Sequence, residues 1–332
     1  MKIAHVVTQF SSKNPGGVEN VVDEIASRQA RHHEVEIICR NAFNDSKRDQ
    51  KNNYLIKRAS CIKFSGLRTL SSLYTMRRII RESDADVFHI HDWSPAINYV
   101  LASKPEDSIL TLHNLATRSV SKFFEHRAVD SVNKVTCVSS WLTDIIDKRY
   151  DLQPVTVNNG VDLQRFYHQS SKGYALFIGS LDQRKGIKPV CEVFNKIDQE
   201  LKVIGDGPLR DIQHEYEHEF LGNVSDKELA EMLSEAEYLV VPSRKEGFGL
   251  VWLEAIASGK PIIATETGVG AEIPSYCGEI ISTDYTEEDL REAAENIAER
   301  KFDAERLQQY ALNYDWERLN QKYMRLYQEI TE

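Results

Sequence analysis

The sequence lacks the features that would place it in a membrane or in an oxidising compartment. No stretch approaches the ~18 consecutive apolar residues of a membrane span, and residues 1–7 are too short and wrongly flanked for a signal peptide. The five cysteines are odd in number, and their spacing matches no zinc or redox motif. No Asp-x-Asp motif stands at the carboxyl end of a predicted strand. We therefore expect a cytoplasmic protein that uses no metal and no other cofactor.

What the sequence does contain is a globular composition of two-domain length. Its 332 residues are 41% hydrophobic and 9% aromatic, which excludes a disordered chain. The net charge of -10 is uneven, since residues 1–165 hold 23 basic and 19 acidic side chains and residues 166–332 hold 18 and 32. A basic run at 47–81 has ten Lys or Arg against Asp49 alone. Because the whole chain is acidic and no nucleic-acid-binding motif occurs, we expect no nucleic-acid partner.

Short apolar runs alternate with helical patterns along most of the chain, which predicts parallel α/β sheets. In the first half the predicted strands are 2–8, 34–39, 61–64, 87–91, 109–113, 135–138 and 155–157. After a polar linker at 165–172 they are 174–178, 202–204, 220–221, 238–242, 261–264 and 279–282. We therefore predict two doubly wound domains, 1–167 and 168–313, followed by a helix at 314–332 with one apolar face.

The stretch at 246–255 is the strongest candidate for the chemistry. It joins a predicted strand to an apolar helix, and its two glycines expose N–H groups where the helix dipole is positive, which suits a diphosphate. Glu246 and Glu254 lie roughly 7–10 Å apart along the helix axis at ~1.5 Å per residue. This separation suits a nucleotide-sugar, with Glu246 on the sugar and Glu254 on the ribose. The alternative is a loop carboxylate and a solvated helix carboxylate.

A basic turn follows the predicted strand at 174–178. Its adjacent cations, Arg184 and Lys185, stand beside glycines and suit a diphosphate, which takes charge as well as hydrogen bonds. The alternative is an exposed basic turn. The next strand ends in a tight turn at Gly205. Further on, residues 214–218 formally match the helix pattern of zinc proteases, but segment 209–219 is short and polar, so we predict a solvated surface helix there.

Glycines and histidines mark the strand ends of the first domain. Gly16 and Gly17 follow the first strand, where ligands approach closely in dinucleotide sites, although plain turn chemistry also explains them. His89, His91 and His113 stand at strand ends, outside which the ligands of such sheets bind. Each histidine is alternatively a structural hydrogen-bonding group. As a metal pair, His89 and His91 lack a third ligand nearby.

Together these residues resemble glycosyltransferase family 4, the retaining nucleotide-sugar transferases of GT-B fold. The resemblance implies two Rossmann-like domains facing a cleft, with the last helix crossing back to the N-terminal domain. One departure is Ser180, where the family usually has arginine, and Arg184 is the candidate to replace it. The similar motifs run in order through nearly the whole chain: Gly16-Gly17-Val18-Glu19, Thr111-Leu112-His113, Asn159-Gly160-Val161-Asp162, Gly179 to Gly186, Gly205-Asp206-Gly207, Glu246 to Glu254, Gly259-Lys260-Pro261 and Tyr314-Asp315-Trp316.

By position, the resemblance implies a role for each motif residue. Glu246 would bind the sugar hydroxyls, His113 would approach the sugar from the other domain and Lys185 would bind the diphosphate, which makes these three the catalytic group. The acceptor side would hold Gly16, His91 and Asp92. The donor would also contact Gly17, Arg184, Gly205, Phe248, Gly249, Leu250 and Glu254.

The implied activity is that of a retaining hexosyltransferase. It would move a sugar from a UDP-, GDP- or ADP-sugar to a hydroxyl of a glycan or lipid-linked acceptor. Since no carboxylate nucleophile is evident beside the anomeric carbon, a front-face mechanism is favoured, in which the leaving phosphate oxygen takes the acceptor's proton. The alternatives are a GT-B epimerase or phosphorylase, and a non-catalytic subunit that binds a sugar nucleotide, for which Ser180 leaves room.

The basic run also predicts where the protein works. Residues 67–81 follow helical spacing, and Arg77, Arg78 and Arg81 crowd one end of the segment. Such a helix suits docking on an anionic membrane, where each Lys or Arg contributes about 1 kcal/mol. The alternative is core packing beneath a solvated, charged face. We therefore expect reversible peripheral contact with the inner face of the membrane.

Overall fold

The protein, seen in a computed structural model that describes residues 1–11, 16–41, 46–60, 68–102 and 107–332, consists of two compact units. The first comprises Met1–Asn159 and Trp316–Glu332, and the second comprises Gly160–Asp315. Each unit is built on one sheet, so the expected architecture of two doubly wound α/β domains is confirmed. No helix in the described ranges is long and apolar enough to cross a membrane.

In the described part of the first unit, eight strands form one sheet in the order β3-β4-β2-β1-β5-β6-β7-β8. All neighbours are parallel except β3, which runs antiparallel to β4. The strands are β1 (Lys2–Gln9), β2 (Glu34–Arg40), β3 (Arg48–Lys51), β4 (Tyr54–Ala59), β5 (Val87–His91), β6 (Asp107–Leu112), β7 (Lys134–Cys137) and β8 (Val155–Thr156). The helices are α1 (Gly17–Gln29), α2 (Arg68–Glu82), α3 (Trp93–Ala102), α4 (Ser119–Val129), α5 (Ser140–Tyr150) and the last helix of the chain, α11 (Trp316–Thr331).

The helices of the first unit cover both faces of its sheet. Because crossovers between parallel strands are right-handed, α1 lies on one face and α2, α3 and α4 lie on the other. On that second face, α3 lies between α2 and α4. On the first face, α11 packs on α1 and β6, as the resemblance implied. The strands β1 and β5 are therefore buried on both sides, which explains their nearly continuous apolar sequences.

A six-stranded, fully parallel sheet forms the second unit, in the order β11-β10-β9-β12-β13-β14. Its strands are β9 (Tyr174–Ile178), β10 (Glu200–Ile204), β11 (Glu219–Gly222), β12 (Tyr238–Val240), β13 (Ile262–Thr265) and β14 (Gly278–Ile281). Its helices are α6 (Ile187–Phe194), α7 (Asp226–Glu235), α8 (Leu250–Ala257), α9 (Glu287–Glu299) and α10 (Ala304–Ala311).

The structure differs from the predicted organisation in several places. The first boundary lies after Asn159 rather than at 167, because the Val161 N–H donates to the Tyr314 carbonyl at 2.8 Å and so joins this segment to the second unit. The surface helix predicted at 209–219 is wrong, since only a 3₁₀ turn forms at Arg210–His214. The strand predicted at 61–64 lies outside the described residues.

Part of the basic run at 47–81 is used by the fold. Part of it forms the β3–β4 hairpin, which the strand prediction missed. Lys51 pairs with Asp23, and Lys57 pairs with Glu36 at 2.6 Å. Arg58 is buried, and its guanidinium donates to the Ser46 carbonyl at 3.0 Å and to the Phe10 carbonyl at 3.4 Å. The run therefore presents less free charge to solvent than its composition suggests.

Candidate active site

The strand order reverses between β9 and β12 in the second unit and between β1 and β5 in the first. At such a point the loops leave toward opposite faces of the sheet, and a crevice remains outside the carboxyl ends of the strands. Lys185 follows β9 and Glu246 follows β12, so both predicted residues stand at the reversal point of their own sheet. The topology alone therefore favours this edge as a binding site.

The loop that carries Glu246 is held by the segment after β13. Fully buried Thr267 accepts a hydrogen bond from the Glu246 N–H at 3.2 Å and donates one to the Glu246 carbonyl at 3.0 Å. Gly268 is required beside it, because its φ is +56° and a Cβ would lie 2.5 Å from the Phe248 carbonyl oxygen. Sequence reasoning missed Thr267, whose main signal is its position just after a strand end.

Gly249 fixes the start of α8. It adopts the left-handed φ of +95°, and a Cβ there would lie 2.2 Å from the ring of Trp252. That ring is buried, and its Nε1 donates to the Val241 carbonyl at 3.1 Å. The first turn of α8 therefore begins at Leu250 directly after the loop, with Phe248 buried just ahead of it. The backbone N–H groups at this helix start are the predicted phosphate or sugar donors.

The structure brings Lys185 and Glu246 together. The Lys185 Nζ forms an ion pair with the Glu246 Oε2, and their side chains are 17% and 19% exposed. Asp182 shapes the turn that carries Lys185, since its Oδ1 accepts the N–H groups of Arg184 at 2.9 Å and of Lys185 at 3.1 Å. Two residues 61 positions apart in sequence thus form one half-buried charged pair.

Arg184 lies differently from Lys185. Its guanidinium pairs with Asp182 at 2.7 Å and is 62% exposed. A phosphate contact would therefore compete with this carboxylate, and the replacement of the missing arginine at Ser180 stays a prediction. At Gly205 the geometry supplies a packing reason for glycine, because a Cβ would lie 1.9 Å from the Gly179 carbonyl oxygen.

Glu254 occupies a separate, desolvated position on α8. Burial raises the pKa of its carboxyl to about 7, an effect that Arg165 opposes and Asp226 strengthens. Arg165 is itself engaged with Asp226, with 3.1 Å between its Nη2 and the Asp226 Oδ1. No hydrogen bond to the Glu254 carboxylate occurs within the described ranges. Its oxygens are therefore open to accept hydroxyl groups.

In the first unit, Gly16 and Gly17 border a cavity of about 390 Å³ that is also lined by His91 and Asp92. A Cβ at either glycine would meet no atom of the described residues within 4 Å, so their packing does not require glycine here. Glu19 accepts the Gly16 N–H at 3.0 Å and caps the start of α1. These glycines leave open space beside the predicted acceptor-side residues.

Asp92 and His113 are joined at the ends of β5 and β6. Asp92 adopts a left-handed φ of 69°, rare for a residue other than glycine. Its Oδ1 accepts the backbone N–H of His113 at 2.8 Å. Burial raises the pKa of Asp92 to about 6, against the two backbone hydrogen bonds that lower it. A strained residue that positions a predicted sugar-binding histidine is a feature of functional sites.

The histidines predicted at these strand ends have a partner that sequence reasoning missed. His5 on β1 faces His89 in the strand register, and the Nδ1 of His5 lies 3.0 Å from the Nε2 of His91. His5, His89 and His91 each offer a nitrogen within 4.8 Å of the others. The expectation that His89 and His91 lack a third neighbour of ligand type is therefore wrong. At the formal zinc-protease pattern, by contrast, His218 contacts the Cys191 carbonyl at 3.1 Å and no continuous helix forms.

Two family models match consecutive parts of the chain. Residues 15–165 match Glycosyltransferase Family 4, and residues 162–314 match Glycosyl transferases group 1. The chain is a glycosyltransferase of the family 4 type. An uncharacterized glycosyltransferase of Methanocaldococcus jannaschii is 28% identical over 96% of this chain and 95% of its own length. The phosphatidyl-myo-inositol mannosyltransferase of Propionibacterium freudenreichii is 22% identical over 97% and 93%.

Solved structures support the same fold for this glycosyltransferase. The crystal structure of Anabaena HepE in complex with UDP and glucose aligns with a TM-score of 0.81, at 16% identity, over 99% of this chain and 100% of that one. The expected GT-B architecture is thereby confirmed. Within its two units, the family 4 glycosyltransferase holds Lys185 with Glu246, and Asp92 with His91 and His113, as neighbouring groups.

Proposed function

We propose that this glycosyltransferase moves a hexose-type sugar, with retention of the anomeric configuration, from a nucleoside-diphosphate sugar to a hydroxyl group of a glycan or lipid-linked acceptor. The observation that carries the proposal is the half-buried pair of Lys185 and Glu246 at the reversal point of the second sheet. A cation and a carboxylate held side by side fit the two neighbouring parts of such a donor, its anionic diphosphate and its hydroxyl-bearing sugar.

The remaining donor contacts follow from the same loop and helix. The N–H groups of Phe248, Gly249 and Leu250 stand at the positive end of α8 and suit a phosphate or a sugar oxygen. Glu254, with no hydrogen bond to its carboxylate in the described chain, takes the ribose hydroxyls. His113 takes a sugar hydroxyl, and Gly17 lies near the phosphates.

The chemistry then needs little more than charge stabilisation. The bond between the anomeric carbon and the diphosphate oxygen breaks, and the acceptor oxygen bonds to the same face of that carbon. The departing phosphate oxygen takes the acceptor's proton, so no protein base and no metal are required. Lys185 and the N–H groups stabilise the negative charge that develops on the leaving group. Such electrostatic stabilisation by preorganised groups is usually the largest single contribution to catalysis.

A uridine donor is the first choice among the three candidate bases. HepE of Anabaena, which shares the fold, binds UDP and glucose. GDP- and ADP-sugars remain the other candidates. The epimerase, phosphorylase and non-catalytic alternatives differ from transfer in what they need, since only transfer couples nucleoside diphosphate release to an acceptor.

A membrane-linked acceptor is supported by one face of the first unit, which we call the outer helix face. It is defined by the exposed apolar side chains of α2, α3 and α4, helices that pack side by side. These side chains are Tyr74 at 73% exposure, Val100 at 39%, Leu101 at 45%, Val120 at 69% and Phe123 at 57%. Exposed aromatic and aliphatic groups among cations are the composition of a peripheral membrane surface.

The charges on α4 match this interpretation. Arg118, Lys122 and Arg127 are exposed, whereas the carboxylate of Glu125 is fully buried against Arg149 at 2.7 Å. The helix therefore presents positive charge and apolar groups without an opposing exposed acid between residues 118 and 129. The mannosyltransferase of Propionibacterium freudenreichii, a relative over nearly the whole chain, is named for a lipid acceptor, phosphatidyl-myo-inositol.

The proposal is tested by measuring nucleoside diphosphate release from UDP-, GDP- and ADP-glucose, with and without candidate glycan and lipid acceptors. Acceptor-dependent release with one donor is expected, together with an α-linked product from an α-linked donor in its NMR spectrum. Inversion would refute the retaining mechanism. Binding of all donors without release under any condition would favour the non-catalytic subunit, and release of free sugar nucleotide epimer would favour the epimerase.

A further inference from the structure

The first unit contains a buried line of hydrogen-bonded imidazole rings that ends at His113. The Nε2 of His5 lies 2.9 Å from the Oε1 of Gln29, and its Nδ1 lies 3.0 Å from the Nε2 of His91. The Nδ1 of His91 lies 3.0 Å from the Nε2 of His113. The three rings are buried, so every proton in the line must be placed within the protein.

The direction of these hydrogen bonds is determined at one end. Burial lowers the pKa of His5 to about 4 and that of His113 to about 3, and it also holds the pKa of His91 well below its usual range. Each ring is therefore neutral and has one donor and one acceptor nitrogen. The Gln29 carbonyl oxygen only accepts, so His5 carries its proton on Nε2. His91 and then His113 must do the same, which leaves the Nδ1 of His113 unprotonated.

A second branch is compatible with this orientation of the Gln29 amide. The Nε2 of Gln29 donates to the Tyr327 hydroxyl oxygen at 3.2 Å, so that the hydroxyl hydrogen can be donated to the Nδ1 of His89, 2.6 Å away. In that arrangement His89 carries its proton on Nε2 and donates it to the Thr111 Oγ1, 2.6 Å away. Each donor in this branch meets an acceptor. The helix α11 therefore takes part in ordering the protons of the line.

The ring nitrogens of His5, His89 and His91 have the composition of a metal site, but they are already engaged in hydrogen bonds with protein groups. Both ring nitrogens of His5, His89 and His91 lie within hydrogen-bond distance of protein groups. Zinc would need about 2.0–2.1 Å to each ligand nitrogen and would break several of these bonds. The hydrogen-bonded arrangement accounts for all six nitrogens, whereas a metal accounts for one from each ring.

We propose that Gln29, hydrogen-bonded to Tyr327, is a positioning residue that fixes His113 as the Nε2–H tautomer, so that His113 presents an unprotonated Nδ1 to a hydroxyl group of the substrate. In the described chain no hydrogen bond reaches this Nδ1. The inference rests on the proposed function, which gives His113 its contact with the sugar. An unprotonated ring nitrogen accepts a hydrogen bond from a hydroxyl group. It disfavours contact with a phosphate oxygen, because the nitrogen and the oxygen would each present a lone pair and neither would donate a proton.

The tautomer is measured directly by long-range ¹H–¹⁵N correlation on the full-length protein labelled with ¹⁵N at histidine, without substrate. The expected spectrum shows His5, His91 and His113 all protonated on Nε2 and unprotonated on Nδ1. A His113 protonated on Nδ1 would overturn the proposal. So would stoichiometric Zn²⁺ that shifts the resonances of His5, His89 and His91 together, because the cluster would then be a metal site.

The functional part is tested with two substitutions of Gln29 that differ in what they keep. Gln29→Met preserves volume but removes the acceptor, and it should give mixed tautomers at His113 and lower kcat by up to about tenfold, the effect of one hydrogen bond. Gln29→Glu restores an acceptor, and at pH 8 it should recover the single tautomer and much of kcat. Affinity for free UDP should be equal in both variants. A purely structural role predicts the opposite ranking, since a buried site tolerates Met better than Glu.

Tyr327→Phe provides a milder test that keeps the ring packing. It should mix the tautomers partly and lower kcat less than Gln29→Met does. If neither variant changes the tautomer of His113, the proposal fails. If His113→Ala transfers sugar normally while the tautomers are as expected, the proposed role of His113 fails instead, so the two failures are distinguishable.

Discussion

Lys185 and Glu246 neutralise each other, so a change in either side chain is felt by both. We predict that Glu246→Gln lowers turnover on the order of 100-fold, because its hydrogen bonds strengthen as charge develops in the transition state. Glu254→Gln should mainly raise the donor KM, because the ribose does not change during the reaction. Steady-state kinetics with saturating acceptor measure both effects. The exposed Glu299→Gln on α9 is the matched control, and unchanged kinetics in both site variants would contradict the assignment.

Glu254 also predicts a pH dependence. Its pKa is raised to about 7 by burial, so the carboxyl becomes ionised as the pH rises through that value. An ionised carboxylate accepts both ribose hydroxyls, so the donor KM should rise about tenfold as the pH falls from 8 to 6. The same measurement on Glu254→Gln should show a nearly flat profile. A wild-type profile as flat as that of the variant would exclude a ribose contact.

Arg184 is the residue whose predicted role the geometry leaves most open. If it leaves Asp182 to bind phosphate, Arg184→Ala should weaken UDP binding by about 1.5–3 kcal/mol, and adding Ser180→Arg should partly restore it. Calorimetric titration with UDP gives the affinities. Lys188→Ala, which removes a comparably exposed cation on α6, is the control. Normal UDP binding by Arg184→Ala would make Arg184 a surface residue.

The buried histidines predict acid sensitivity of the first unit. Their folded pKa values lie below those of the unfolded chain, so the unfolded state binds more protons between about pH 4 and 6.5 and stability falls as the pH is lowered through that range. Asp92 has the opposite effect on stability, because its raised pKa lets the folded state bind one more proton than the unfolded state in part of this range. We predict that His89→Gln reduces the pH slope of the unfolding free energy by ~1.4 kcal/mol per pH unit. Denaturant unfolding from pH 4.5 to 7 tests it, with the exposed His126→Asn as control.

At the scale of elements, the starts of α1 and α8 look alike in sequence but differ in what they require. Gly249 has a positive φ and no room for a Cβ, so Gly249→Ala should destabilise the second unit by at least ~1–3 kcal/mol. Gly17 has room for a Cβ among the residues that the structure describes, so Gly17→Ala should fold with unchanged or slightly higher stability. The donor KM of the Gly17→Ala variant should nevertheless rise several-fold if the donor phosphates bind close to residue 17. An unchanged KM would remove Gly17 from the donor site.

The elements that the sequence predicted well are buried strands that consist of one continuous apolar stretch. β5 and β9 are near-continuous apolar stretches, and the structure gives them the predicted bounds. β3 was missed because an edge strand of polar residues, Arg48–Lys51, has no such run. Its hairpin signal was the Asn52-Asn53 turn, where both residues have positive φ.

The residues of the candidate site likewise fall into those that a local pattern predicts and those that only distant contacts define. Lys185, Glu246 and Glu254 stand in motifs that can be recognised locally. Thr267 and Gln29 act through partners 21 and 24 residues away, and His5 reaches His91 across 86 residues. Those contacts depend on which strands are neighbours and in what register, and no local pattern contains that information.

At the scale of the whole molecule, the outer helix face predicts salt-sensitive binding to anionic vesicles. Replacing Arg118, Lys122 and Arg127 together with Ala should weaken binding by ~1 kcal/mol per residue, about fivefold each. Phe123→Asp should weaken it further by removing an inserted ring. Sedimentation with phosphatidylglycerol vesicles at low salt measures both. Leu312→Asp, a comparably exposed apolar position in the second unit, is the control. Wild-type protein left in the supernatant would favour a soluble acceptor.

The contact between His89 and Tyr327 joins residues 238 positions apart, on either side of the entire second unit. A ribosome that adds about 5–20 residues per second needs ~10–50 s to pass from one to the other. During that time the first unit is synthesised but unfinished, and its histidines lack the hydroxyl group that α11 supplies. The second unit, whose sheet is contiguous in sequence, can complete its fold first. Domains usually fold in the order in which they are synthesised. Here the order is reversed, because the unit whose synthesis begins first is the last to complete its fold.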